Sequence, residues 1–315
     1  MADSTTPSVA PIGGSDAGET TQEGSVYALV WRTFRENRPA VISLCVFVFF
    51  LIFSYVGPYL YVTNQTNGFI AGSATINGES TVDYPWFHSW HMILGGDNSG
   101  FDIIGRLMIG GRTALTVGIL SGLISTFVGA AWGAIAGYRG KSLDSLMMRV
   151  VDIGLSVPGI FLLIVIVVLF HSSSTTITLT LGLTSWFGSA RLIRGETLSL
   201  KSREFVSAVR VLGGTDRRII FRHILPNTVG TMVVIGTFAV ADSILALAGL
   251  GFIGLGIPLP NTDWGSMLQN AVQYAPDGYW WDIVPAAVCI ILVVMSLNYM
   301  GDALRDGFEV RLQKR

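Results

Sequence analysis

"SREFVSAVRVLGGTDRRIIFRHILPN", residues 202 to 227, is the most basic and polar stretch in a chain that is otherwise apolar. It carries Arg203, Arg210, Arg217, Arg218 and Arg222, yet lies between two segments greasy enough to cross a bilayer. Its pattern is helical. Phe205, Val206, Val209 and Leu212 fall at i, i+1, i+4 and i+7 and make one apolar face. Gly213-Gly214 stops that helix, Thr215 caps a second with Ile219, Ile220, Ile224 and Leu225 on its apolar face, and Pro226 ends it. The spacing predicts a helix–turn–helix with its arginines outward. A connection between membrane helices needs only a few residues, so a loop of about 35 has some further use. Periodicity alone leaves two readings open. One is an amphipathic pair resting on lipid phosphates; the other is a docking element for a protein.

Composition sets the class around that loop. Half of the 315 residues are hydrophobic, 13% are charged and 37 are glycine, with mean hydropathy +0.56. Soluble domains carry about a quarter charged residues, so the chain reads as a polytopic helical membrane protein. Residues 1–30 are different: rich in Ser, Thr, Gly and Pro, without apolar period or a basic segment leading into an apolar core. They read as a disordered tail, not a signal peptide. Cys45 and Cys289 both sit in apolar runs with no metal-ligand spacing and read as packing residues.

A membrane span needs about 20 mostly apolar residues. Charge-free runs predict a first helix over roughly 40–62 and a second over 113–138. The run 153–190 is too long for one span, and "HSSSTT" at 171–176 breaks it into a third and a fourth. A fifth covers 228–250 with one charge, Asp242, and a sixth covers 283–301. With six spans the termini share a side, and the basic residues choose it. Eighteen of the 20 Lys and Arg fall in segments on the side of the termini, and only Arg106 and Arg112 fall on the other. Cytoplasmic loops hold the Lys and Arg excess, so the N- and C-termini and the 202–227 stretch are expected in the cytoplasm. The expected organisation is a tail (1–30), a first helix with its basic flank (31–62), an extracytoplasmic segment (63–112), a five-helix core (113–301) with the loop 191–227, and a cytoplasmic C-terminus (302–315).

In these residues the chain resembles the permease subunits of ATP-binding-cassette importers, most closely the C-type permease of dipeptide, oligopeptide and nickel systems. That family's loop carries Glu-Ala-Ala, three variable residues and Gly, with Leu-Pro near its end. Aligned on Gly213 and Leu225-Pro226, the first three positions are Ser207, Ala208 and Val209, and only the middle Ala is kept. "GGDNSGFDIIGRLMIGGRTAL", "GYRGKSLDSLMMRVVDIGLSVPGIFLL", "LGFIGLGIPLPNTDWGSML" and "NYMGDALRDGFEVRL" are similar to further family segments in the same order, over about residues 94–315. Where relatives carry a Glu before "GFIGLG", this chain has Leu247. Asp242 lies five residues earlier, about 140° around the helix.

The resemblance implies an all-α, six-span type I importer permease in a prokaryotic inner membrane. It would form a heterodimer with a second permease and dock on two ATPase subunits that bind the ATP and Mg. An extracytoplasmic binding protein would deliver di- or oligopeptides. Membrane lipids are a partner, and nucleic acid is not. It also implies coupling to the ATPase through Arg203, Glu204, Ser207, Ala208 and Arg210 on the first loop helix, Gly213 and Gly214 at the turn, and Asp216 and Arg217 on the second. Asp242 is the candidate pathway residue, since intramembrane acids mark substrate routes. A nickel or other small-solute importer is the near alternative. A stand-alone carrier is the distant one, and would need more intramembrane acids or broken helices than Asp242 supplies.

The chain holds no nucleotide-binding Gly-Lys-Ser/Thr pattern, no metal-ligand cluster and no nucleophile with a base, so no catalytic or metal residue is assigned. Asp152 is expected to favour a helix N-terminus, and His171 to sit in a polar turn. Gly118, Gly122, Gly129, Gly133 and Gly137 permit close helix packing. Trp86 and Trp90 suit an interfacial belt, and Asn64 heads a formal glycosylation triplet.

Overall fold

The computed structural model describes residues 26–61, 75–76, 79–80, 93–97 and 101–313. Trp86, Trp90, Asn64 and residues 1–25 lie outside the described residues. The helices are α1 (Val26–Glu36), α2 (Arg38–Tyr55), α3 (Gly57–Leu60), α4 (Ile103–Arg139), α5 (Lys141–Ser156), α6 (Gly159–Phe170), α7 (Ser174–Thr184), α8 (Trp186–Lys201), α9 (Glu204–Val211), α10 (Asp216–Ile219), α11 (Leu225–Asn227), α12 (Val229–Leu250), α13 (Trp264–Val272) and α14 (Trp280–Gln313). The strands described are two residues each, Thr75–Ile76 paired antiparallel with Glu79–Ser80.

Among the described residues, four helical stretches are long and apolar enough to cross a membrane: Arg38–Tyr55, Ile103–Arg139, Val229–Leu255 and Trp280–Phe308. A fifth is present if α5 and α6, bent by 80°, count together. The bend falls at Pro158, which has no N–H to donate and forces Val157 into an extended conformation (φ −98°, ψ 122°). The expected fourth span is divided at Ser185 into α7 and α8. The threonines of α7 donate inward to its own turns, Thr178, Thr180 and Thr184 each at 2.7 Å from the carbonyl four residues back.

Several boundaries differ from the sequence reading. The helix expected from 113 starts at Ile103, because Asp102 caps it by accepting from the Gly105 N–H at 2.7 Å. Arg106 and Arg112, expected in an outer segment, therefore sit in its first turns. Arg106 is buried, with Nη1 donating to the Pro260 carbonyl at 2.9 Å. The expected tail ends earlier, since α1 begins at Val26, and α14 runs past Gly301 to Gln313. Cys289 is buried but Cys45 is exposed, so Cys45 packs against nothing deep in this chain.

The core forms where α4 meets its neighbours. Leu115, Ile177, Ile244, Leu247 and Leu250 are fully buried together with Trp264, whose Nε1 donates to the Leu107 carbonyl at 3.0 Å. Glycines let α4 approach two helices closely. Gly118 and Gly122 face Val240 and Ile244 of α12, while Gly129, Gly133 and Gly137 face Ala190, Arg194 and Thr197 of α8. At Gly133 a Cβ would meet the Ala190 carbonyl. Only glycine fits there.

Candidate functional site

The 202–227 stretch folds onto the ends of α4 and α8. Val206, Ile219, Ile220 and Ile224 are buried against Ala130, Ala134, Tyr138 and Ile193, with Val209 partly buried beside them. Burying this face holds the loop as a solid body, since each fully buried aliphatic side chain contributes about 1.5–3 kcal/mol. The predicted apolar face is half right. Val206 and Val209 point inward, but Phe205 is 40% exposed and Leu212 86% exposed. Phe205 and Leu212 are seven residues apart, so they share a flank of α9 that is left exposed, and Leu212 lies just past the helix end at Val211.

The stop is a Schellman motif. The Gly214 N–H donates to the Val209 carbonyl at 2.9 Å and the Gly213 N–H to the Arg210 carbonyl at 3.1 Å. Gly213 takes φ +78°, which glycine adopts without penalty. Thr215 then caps α10, its Oγ1 accepting from the Arg218 N–H at 3.4 Å. Pro226 does not end the second helix. It sits in the first turn of α11, after a π turn over Ile220–Ile224, and the chain stays helical to a break at Thr228. A proline at a helix start costs no hydrogen bond, and the π turn's Leu225 N–H reaches back to Ile220.

This construction leaves Val211 and Leu212 at the tip, each 86% exposed. Around them Arg203, Glu204, Ser207, Ala208, Arg210, Gly213, Asp216 and Arg217 are all exposed, and Gly214 is half-buried. Apart from half-buried Gly214, the predicted loop residues are thus each solvent-exposed. Two of them also anchor it: Arg210 Nη2 donates to the buried Tyr138 hydroxyl at 3.4 Å, and Asp216 lies 3.9 Å from Arg139.

Ion pairs that the sequence reading did not assign brace α5 against α8. Arg194 forks onto Asp144, Nε to Oδ1 at 2.6 Å and Nη2 to Oδ2 at 2.7 Å. Asp152 lies late in α5, not at a helix start, and accepts from Arg191 at 2.7 Å. Glu196 of α8 is half-buried near Thr231; burial raises its carboxyl pKa, and the Thr231 hydrogen bond opposes that rise. The position of Arg194, about two turns into α8, carried no spacing signal, because its partner is 50 residues away. His171 is exposed in the α6–α7 turn (φ +63°). Asp242 is apart from the loop, exposed on α12.

The chain as a whole is similar to known transport proteins. The family profile described as "Binding-protein-dependent transport system inner membrane component" matches residues 129–314. A second, "N-terminal TM domain of oligopeptide transport permease C", matches residues 25–71. The dipeptide transport system permease protein DppC of Bacillus subtilis is 32% identical over 90% of this chain and 85% of its own length. The oligopeptide transport system permease protein OppC of Haemophilus influenzae is 37% identical over 88% and 86%, and that of Escherichia coli K12 is 35% identical over 88% and 89%. A solved structure, described as inward-facing conformations of the MetNI methionine ABC transporter, has the same fold. Its TM-score is 0.51 at 22% identity, over 64% of this chain and 96% of that chain.

Proposed function

The chain belongs to the binding-protein-dependent transport system inner membrane components, and from that premise we propose that it is one of two permease subunits of an ATP-driven importer of di- or oligopeptides. The six expected spans keep both termini in the cytoplasm, with α7 and the start of α8, as far as Ala190, completing the set. Two ATPase subunits bind ATP and Mg, and an extracytoplasmic binding protein delivers the cargo. The observation that carries the reading is the exposed Val211–Leu212 tip on a loop whose other face is packed into α4 and α8. An apolar knob on a rigid base fits a protein socket better than lipid headgroups, and a rigid element tied to transmembrane helices transmits rigid-body motion. The names of the relatives support the peptide class.

The test is co-purification and uptake. Tagged wild type, expressed with its partner subunits, should retain the ATPases and accumulate labelled di- and oligopeptides in an ATP-dependent manner. Val211→Asp with Leu212→Asp should insert normally but lose both. Peptide uptake by this chain alone, without ATPase subunits, would overturn the reading.

A further inference from the structure

Asp242 is the central residue of the span Val229–Leu255, with thirteen residues on either side. At 1.5 Å per residue it lies about 20 Å from each end, deep within a hydrocarbon layer about 30 Å thick. Its side chain leaves the chain rather than entering the core. Asp242 is exposed, whereas Ala241, Ser243 and Ile244 around it are buried. Leu245, Gly249 and Phe252 continue the same exposed face at three, seven and ten residues further on. Leu247, about 140° around the helix, is fully buried.

No hydrogen bond or ion pair to Asp242 is present among the described residues. The sequence offers no countercharge nearby either, since no Lys or Arg occurs between Arg222 and Arg305. Ionisable groups at this depth face a bundle interior or a water-filled cavity, not lipid. The interior of this bundle is the other side of α12. The face carrying Asp242 therefore lines a polar space outside the chain, and the missing cation comes from what passes there.

We propose that Asp242 binds the free α-ammonium group of the peptide in transit, so that the permease itself, beside the binding protein, selects for an unblocked amino terminus. This deepens the peptide-importer reading above and rests on it. A lone carboxylate on an otherwise apolar wall attracts the amino end of a zwitterion and repels the carboxyl end, which orients the peptide as well as selecting it. Glycine at 249, with no neighbouring atom within 4 Å of a Cβ built there, leaves the same face open two turns, about 10 Å, further along the helix.

The experiment uses the complete importer in proteoliposomes. Uptake is measured for a peptide with a free amino terminus and for its N-acetylated form, each supplied above the concentration that saturates the binding protein. Wild type should prefer the free amine by about tenfold or more, because a site built for a polar group rejects the analogue lacking it. Asp242→Asn should lose that preference, and Asp242→Glu should keep it. An Asp242→Asn importer with the wild-type preference overturns the proposal. If Asp242→Asn carries neither form, Asp242→Glu decides. Recovery of rate and preference supports the proposal; recovery of rate alone assigns Asp242 to pairing with the second permease, and a dead Glu variant assigns it a structural role, both against the proposal. Absence of any peptide uptake by wild type would refute the importer reading itself, a result distinct from all of these.

Discussion

Arg194 and Asp144 are 50 residues apart in the chain and meet in a two-pronged ion pair of 2.6 and 2.7 Å. The pair closes α5 onto α8, the helix that leads into the 202–227 loop. Asp144 is only 14% exposed at its side chain, so its charge depends on this partner. Arg194→Ala should therefore cost about 1–3 kcal/mol, the penalty for a buried acceptor left unpaired. Arg191→Ala removes the Asp152 pair instead, whose side chains are 57% and 64% exposed. That change should cost under about 1 kcal/mol. Thermal unfolding of the detergent-solubilised variants should show the first Tm well below the second, and equal shifts would refute the distinction.

Two glycines on facing helices should respond in opposite directions. A Cβ at Gly133 would strike the Ala190 carbonyl and come within 2.9 Å of the Arg194 nitrogen, both backbone atoms with no room to yield. Gly133→Ala should destabilise the α4–α8 packing by about 1–3 kcal/mol, as overpacking does. Gly195 of α8 has nothing within 4 Å of such a Cβ. Gly195→Ala should be neutral or stabilising by about 0.5–1 kcal/mol, since alanine loses less backbone entropy in a helix. The same Tm assay checks both.

What the sequence revealed follows the range of the forces involved. The loop's turn was legible because it is local: glycine at the αL position, threonine at the cap, and the i, i+4 spacing of Val206 and Val209 all act within one or two turns. Phe205 and Leu212 were misread because spacing groups them with Val206 and Val209 but does not say how wide the buried stripe is, and their shared flank stays exposed. The start of α4 was misplaced by ten residues because Arg106 and Arg112 look like loop residues to a hydropathy count. In the fold their charges are met from elsewhere in space: Arg106 by the Pro260 carbonyl and the Phe101 ring at 4.4 Å, Arg112 near the Tyr55 ring at 5.9 Å. Tyr138 and Arg194 were invisible as site residues for the same reason. Their partners lie 72 and 50 positions away.

Glu196 gives the molecule a predictable response to pH. Burial, only partly opposed by the Thr231 hydroxyl, raises its folded-state pKa above the ordinary 4.5. A carboxyl with a raised folded pKa binds its proton more tightly when folded. Stability from that proton is fully present below about 4.5 and is lost as pH rises through the higher folded value. Glu196→Gln removes the charge, so the variant should be more stable than wild type at neutral pH and indistinguishable from it well below the ordinary value. A Tm difference that is constant across this pH range would contradict the burial argument.

Orientation is testable at two exposed loop positions. In a background where the exposed Cys45 is replaced by serine, a cysteine at Asn261 should react with an impermeant thiol reagent added outside intact cells. One at Thr215 should react only after permeabilisation. Labelling of Thr215→Cys from outside would invert the arrangement of eighteen basic residues against two on which the topology rests.

The turn at Gly213 separates protein docking from lipid contact. Its φ of +78° is available to glycine, and a β-branched residue there pays about 1–3 kcal/mol of backbone strain. No atom lies within 4 Å of a Cβ at this position, so the strain acts on the turn's geometry and not through a clash. Gly213→Val should therefore leave insertion and the transmembrane core intact while redirecting the Val211–Leu212 tip. If the tip sits in a socket on an ATPase subunit, that redirection should lower ATPase retention and peptide uptake together, as Leu212→Asp should without any strain. Arg218→Gln, which removes one exposed charge worth under about 1 kcal/mol, should change neither. A pair lying on lipid predicts the reverse ordering: loss of the arginine charge would weaken membrane contact, and the turn would tolerate valine. Uptake and co-purified ATPase measured for the three variants at equal membrane levels distinguish the two, and wild-type coupling in both Gly213→Val and Leu212→Asp would remove the tip from the transport mechanism.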